Sequence, residues 1–220
     1  MGILQIILVI VLIGTAGYGL FVCVTDKAPM YFQMVICAML SCAFSAIDSS
    51  LLYSLLGIYP VGFKISGLSM FASFMFILSA NYGSMDNVID EHRKEERKYR
   101  LISLLAPAVI ILELSLFAVL GKASIADKIF LAVTNIPAIF ASYFNLKHAI
   151  FPDFSIGFVK SMRPYNVVAV LFLLFTVFLN ITSFFEGYTF YNIATVLCIL
   201  VDLLMVPTCK YGIDKRKKIF

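Results

Sequence analysis

The chain contains 220 residues, of which 61% are hydrophobic and 14% are charged, and its formal net charge is +4. Soluble domains average roughly 45–50% apolar and about 25% charged residues, so this composition excludes an ordinary soluble fold. The basic residues are scattered between apolar stretches and form no continuous patch, which argues against a nucleic-acid partner.

Seven long apolar stretches follow one another along the chain. Each is close to the roughly 20 residues that a helix needs to cross about 30 Å of hydrocarbon, and such runs are too long for the strands of a membrane barrel. The predicted spans are 3–24, 31–56, 65–84, 101–121, 125–144, 165–185 and 190–209. We therefore expect an all-α polytopic integral membrane protein, in which residues 1–220 form a single seven-transmembrane-helix bundle without a soluble domain.

Lysine and arginine residues fall mainly on alternate segments between the predicted spans. With the N-terminus outside, the outer loops hold three of the 17 basic residues, Lys64, Lys122 and Lys128, and the inner segments hold the other 14. Basic residues are retained on the cytoplasmic side during insertion, so the N-terminus is predicted outside and the C-terminus in the cytoplasm. The short loops favour a bacterial plasma (inner) membrane.

Three acidic residues lie inside predicted spans: Asp48 in the second, Glu113 in the fourth and Asp202 in the seventh. A charged aspartate at the bilayer centre costs roughly 2.5–3.5 kcal/mol, so such groups usually face the bundle interior and a partner. No basic residue is predicted at comparable depth, which leaves protonation, a bound cation, or hydrogen bonds to groups such as Asn135 and Asn180. All five residues are candidate ligand-binding or ion-binding residues.

A break is predicted in the fifth span at Thr134-Asn135-Ile136-Pro137, because proline lacks a backbone N–H and clashes with the preceding turn. This break either lines a cavity or is a simple kink. The five cysteines lie in or beside the spans without metal-ligand spacing, so they are interpreted as free thiols. No metal site and no cofactor are predicted.

The most polar segment, residues 85–100, is predicted to extend the third span into the cytoplasm. Its basic residues Arg93, Lys94, Arg97 and Lys98 either form a surface that binds a cytoplasmic protein or are a solvated loop that enforces the topology.

Three functions are compatible with the sequence. The first is a receptor-like sensing or binding module with a polar intramembrane site for a small apolar or cationic ligand. The second is a small proton- or cation-coupled secondary transporter that uses the intramembrane carboxylates. The third is an intramembrane lipid-modifying enzyme with paired acids, which is the weakest because no nucleophile–base pair or metal set is visible and no catalytic residue can be named.

Overall fold

The structure is a computed structural model that describes residues 2–26, 28–56, 65–81, 97–151, 158–185 and 188–217. All regular secondary structure in these residues is helical. The helices are α1 (Ile3–Asp26), α2 (Met30–Leu56), α3 (Ile65–Asn81), α4 (Arg97–Ser103), α5 (Leu105–Leu120), α6 (Ile125–Thr134), α7 (Ile136–Ile150), α8 (Phe158–Thr182) and α9 (Tyr188–Lys217). Short breaks at Leu104 and Asn135 separate α4 from α5 and α6 from α7.

Six helical segments are long and apolar enough to cross a membrane: α1, α2, α8, α9 and the continuous pairs α4–α5 and α6–α7. Helix α3 is also apolar but has 17 residues. Large aliphatic side chains cover the outside of the bundle; Val24, Val119 and Ile125, for example, are 81%, 79% and 78% exposed. Such a surface suits lipid, so the prediction of an all-helical integral membrane protein is confirmed.

Six helices form a closed ring in which each packs against the next, in the order α1, α2, α3, α7, α8 and α9. Helix α5 lies outside this ring against α7 and α8, and α6 contacts α3. Small residues allow the close approaches: Gly19 of α1 lies directly against the side chain of Ile36 in α2.

Helices α1 and α9 run in the same direction, because contacts join them at both ends. At one end the Gln5 side-chain amide donates a hydrogen bond to the Tyr191 hydroxyl, at 2.7 Å. At the other end Lys210 Nζ lies 3.3 Å from Asp26 Oδ2. Consecutive membrane-spanning segments alternate in direction, so the first and the last are parallel only if the number of spans is odd.

Most basic side chains lie at the end of the bundle where Asp26 meets Lys210, here called the basic end. The described basic residues at this end are Arg97, Lys98, Arg100, Lys147, Lys160, Arg163, Lys210 and Lys215. In the described part of the chain, the opposite end holds Lys122 and Lys128.

Several helices continue further at the basic end than the apolar runs predict. The fifth predicted span ends at residue 144, whereas α7 continues to Ile150. Lys147 and His148 lie in its last turn and are 2% and 0% exposed. The Lys147 ammonium group lies 6.0 Å and 5.8 Å from the ring centroids of Phe144 and Phe151, whose aromatic faces attract the cation.

Candidate functional site

A cavity of about 130 Å³, here called the central cavity, lies between five helices of the ring and α6. Helices α1, α2, α3, α6, α8 and α9 all contribute to its wall. Much of this wall is polar although it lies inside an apolar bundle. Its polar side chains are Gln5, Cys42, Ser45, Ser49, Ser50, Ser66, Asp127, Thr134, Thr176, Asn180, Ser183, Tyr191, Cys198 and Asp202.

The central cavity begins at the end of the bundle opposite the basic end. Gln5, Ser66, Asp127 and Tyr191 come from the first turns of their helices, and Ser183 directly follows α8. Asp202 lies 11 residues beyond Tyr191 on α9, which places it about 16 Å further along the helix axis at 1.5 Å per residue. The described lining of the cavity therefore extends from the first turns of these helices towards Asp202.

Asp202 is the buried acid of this cavity. Its side chain is 2% exposed, and no donor from the described residues hydrogen bonds its Oδ1 atom. No lysine, arginine or histidine lines the central cavity among the residues that the structure describes. A buried carboxylate without a positive partner loses several kcal/mol of hydration. Within the described residues nothing compensates a negative charge on Asp202, so this acid is either neutral or requires a cation.

Asn180 lines the central cavity together with Asp202, whereas Asp48 binds a neighbouring helix. Asp48 Oδ2 accepts a hydrogen bond from the backbone N–H of Ser66 at 3.0 Å, although the adjacent Ser49 lines the cavity. This contact satisfies a free donor in the first turn of α3 and places a negative charge at the positive end of its dipole. Asp48 itself is not among the cavity-lining residues.

Glu113 lies on α5, outside the ring of helices, and is likewise absent from the cavity wall. Its side chain is half-buried, and its Oε2 atom has no hydrogen-bond partner among the described residues. The structure therefore does not bring Glu113 together with Asp202 in one described cavity.

Asn135 marks the break between α6 and α7 and is 1% exposed. Its Nδ2 atom donates to the Leu131 carbonyl at 2.7 Å, and Leu131 and Thr134 both line the central cavity. The structure has the predicted break, and of the two interpretations left open it favours the one that lines a cavity, through Thr134 and not through Asn135.

Two of the four basic residues predicted to bind a cytoplasmic partner, Arg93 and Lys94, lie outside the described residues. Arg97 and Lys98 occupy the exposed first turn of α4 at the basic end. Lys98 Nζ lies 5.0 Å from the ring centroid of Tyr99, and that ring packs at 5.7 Å against Phe151.

A buried polar cluster near the basic end was missed by the sequence analysis. The Tyr31 hydroxyl donates to Asn81 Oδ1 at 3.3 Å, and His148 Nδ1 lies 3.4 Å from the same oxygen. The Tyr31 ring also packs edge-on against Tyr165, with centroids 5.6 Å apart. We call Tyr31, Asn81, His148 and Tyr165 the basic-end cluster; all four are at most 6% exposed. The sequence does place these residues at or near the same end of four predicted spans, and this shared position could have identified the cluster.

Apolar packing separates the central cavity from the basic-end cluster. Along α2, Met39 lies between Cys42 in the cavity wall and Tyr31. Along α9, Met205 lies three residues beyond Asp202. Both methionines are fully buried. In the described residues, the cavity is therefore closed below Asp202.

No protein-family model, curated protein or solved structure significantly matches this chain. The central cavity offers one deep carboxyl group, a wall of hydroxyl and amide groups, and an apolar seal on the far side. These features suit the binding of a small molecule more directly than they suit bond cleavage, which needs a positioned nucleophile or acid–base pair.

Proposed function

We propose that the protein is a seven-span membrane protein with its N-terminus outside and its C-terminus in the cytoplasm. The parallel arrangement of α1 and α9 supports an odd number of crossings, and α3 adds a seventh to the six segments long enough to span. At 1.5 Å per residue its 17 residues cover about 25 Å, close to the hydrocarbon thickness.

The charge distribution supports the orientation. Eight described basic side chains lie at the basic end and two at the other, as expected if the basic end faces the cytoplasm. The central cavity then opens towards the outside. A bacterial plasma (inner) membrane fits this arrangement.

The function that the geometry supports best is that of a receptor-like binding module for a small molecule. The observation that carries this proposal is Asp202, a buried and unpaired acid in a polar cavity that opens towards the outside and is sealed beneath. Ligand binding would alter the packing of the six helices that line the cavity, also at their cytoplasmic end.

A cytoplasmic protein would bind at this end, to the surface formed by Arg97 and Lys98 together with Arg93 and Lys94.

A cation-coupled transporter is the second candidate, because an unpaired intramembrane carboxyl group can carry a proton or a cation. Transport requires a route to both sides of the membrane, and Met39 and Met205 are packed across that route. An enzyme with paired acids has less support. Asp48 and Glu113 are not on the cavity wall, and Asp127, which is, lies in the first turn of α6 at the end of the cavity away from Asp202.

The test compares binding with transport in one preparation. The purified protein in lipid nanodiscs is screened by thermal stabilisation against a library of small cations, anions and neutral molecules. Ala46→Phe fills the cavity from α2, whereas Ala132→Phe adds the same ring to the exposed side of α6 and is the matched control.

We expect at least one compound to stabilise the native chain and Ala132→Phe but not Ala46→Phe, and not to accumulate in proteoliposomes. If that compound accumulated against its gradient, the protein would be a transporter and the receptor proposal would be wrong. If no compound distinguishes the native chain from Ala46→Phe, the central cavity is not a binding site and the proposal is wrong.

A further inference from the structure

The charge of the central cavity restricts the ligands that it can accept. Its two acids are Asp127 and Asp202, and no described basic residue lines it. Asp127 is engaged near the entrance: Ser124 Oγ donates to its Oδ2 at 2.6 Å, and its backbone N–H donates to Ser124 Oγ at 3.2 Å. Asp202 Oδ1, by contrast, has no donor among the described residues, and an ionised Asp202 would attract a cation and repel an anion where water cannot screen the charge.

The atoms around Asp202 favour an organic cation over a metal ion. The thiols of Cys42 and Cys198 lie within electrostatic reach of Asp202, Thr176 is beside Cys198, and Leu12 lines the same cavity, so the wall offers thiols, a hydroxyl and aliphatic groups. Calcium takes six to eight oxygen ligands and magnesium demands an octahedral oxygen shell. An ammonium group needs only the carboxylate and a few hydrogen-bond acceptors, and its carbon substituents pack well against such a wall.

The size of the cavity limits the body of the ligand. A cavity of about 150 Å³ lined by apolar side chains is known to hold benzene, so 130 Å³ suits a group of about six to eight non-hydrogen atoms. Met70, Phe130 and Leu131 supply an apolar wall between the entrance and Asp202. Gly67 permits this wall, because a Cβ atom there would lie 2.5 Å from Phe130 Cε1.

We propose that the central cavity selects an organic ammonium ion with a compact apolar group, whose ammonium group pairs with Asp202 while the apolar group packs against Met70, Phe130 and Leu131. The ammonium ion would then satisfy the Asp202 oxygen that the described chain leaves without a donor. This inference names the ligand class of the proposed receptor and so rests on the proposed function.

The experiment uses pairs of molecules that differ in charge but hardly in shape: benzylamine and benzyl alcohol, cyclohexylmethylamine and cyclohexanemethanol, and isoamylamine and isoamyl alcohol. Each is titrated calorimetrically at neutral pH into the native protein in nanodiscs, with benzoate as the anion. We expect at least one amine to bind about 30-fold or more tightly than its alcohol, as for a buried ion pair compared with a neutral contact. Benzoate should not bind.

Two variants locate the charge that is responsible. Asp202→Asn should reduce the affinity of that amine to that of its alcohol, whereas Glu113→Gln removes an acid that lies outside the ring of helices and the cavity wall, and should leave the affinity nearly unchanged. The affinity of each amine relative to its alcohol is measured in the native protein without any substitution. The inference can therefore still be tested if Asp202→Asn does not fold.

Other outcomes separate the inference from the proposed function. If amines and alcohols bind equally and Ala46→Phe abolishes both, the cavity binds ligands without selecting for charge, so the inference is wrong while the function stands. If no amine binds more tightly than its alcohol, the inference is also overturned. If Asp202→Asn still binds amines more tightly than alcohols, the ammonium group binds at a site other than Asp202.

Discussion

Asp48 in α2 and Ser66 in α3 are joined by a hydrogen bond from the Ser66 backbone N–H to Asp48 Oδ2, at 3.0 Å. The acid of one helix thus caps the first turn of its neighbour. The four N–H groups in the first turn of a helix lack partners within the helix, and in a membrane water cannot replace them. This contact gives Asp48 a structural task that is separate from ligand binding at Asp202.

Asp48→Ala should therefore lower stability without changing the ligand affinity of the cavity. Loss of a helix cap costs about 1 kcal/mol, with a range of about 0.5–2 kcal/mol, and Asp48→Asn should lose less because its amide oxygen still accepts. The free energy of unfolding is measured in mild detergent, with Ser49→Ala as the neighbouring control. A variant of normal stability that no longer binds ligand would instead make Asp48 part of the binding site.

Two glycines of α1 should respond differently to the same substitution. Gly19 is buried, and an added Cβ atom would overlap the side chain of Ile36, whereas nothing lies within 4 Å of such an atom at Gly17. Gly19→Leu should destabilise the protein by about 1–3 kcal/mol, the usual cost of overpacking. Gly17→Leu should be nearly neutral. Equal thermal unfolding midpoints for the two variants would contradict the close packing of α1 against α2.

The apolar runs of the sequence predict the helix starts well at the end opposite the basic end, whereas α8 begins at Phe158, seven residues before its predicted span. The predicted starts at residues 3, 65 and 125 coincide with Ile3, Ile65 and Ile125. Hydropathy reports how long a segment stays apolar, and in lipid an apolar segment must be helical to satisfy its backbone. The helix ends at the basic end were predicted too short, because amphipathic residues such as Lys147 can be buried beside aromatic rings.

The rotation of each helix about its own axis could not be predicted in this way. Asp48 and Ser49 are adjacent in the sequence, but one caps α3 and the other lines the central cavity. Successive residues of a helix point about 100° apart, so choosing the acid that faces the interior requires the packing of all neighbouring helices. For this reason the sequence suggested Asp48, Glu113 and Asp202 alike, whereas only Asp202 lines the cavity.

Two native cysteines allow the access route to the cavity to be tested. Cys198 lines the central cavity one turn before Asp202, whereas Cys209 is fully buried beyond the apolar packing. A positively charged methanethiosulfonate applied from outside should modify Cys198 faster than a negatively charged one, because Asp202 attracts the cation. Neither reagent should reach Cys209 at a comparable rate. Peptide mass spectrometry identifies the modified residue.

The charge preference at Cys198 should diminish in Asp202→Asn, while its overall accessibility remains. Faster labelling of Cys209 than of Cys198 from the outside would show that the cavity does not open on that side. Equal rates for the two reagents at Cys198 would mean that Asp202 does not set the charge selectivity of the cavity.

The basic-end cluster should keep the cytoplasmic side of the bundle closed. Tyr31→Phe removes the hydroxyl that donates to Asn81 but retains the ring that packs on Tyr165. Interhelical hydrogen bonds in membranes average about 0.6 kcal/mol, so the fold should survive while openings of the basic end become about threefold more frequent. Because Cys209 is buried near this end, its modification by a maleimide added from the cytoplasmic side should increase by the same factor. Cys198 serves as the internal control, since its exposure to the outer entrance does not depend on Tyr31. An unchanged Cys209 rate in Tyr31→Phe would mean that apolar packing around Met39 and Met205, and not the hydrogen bond, keeps this side closed.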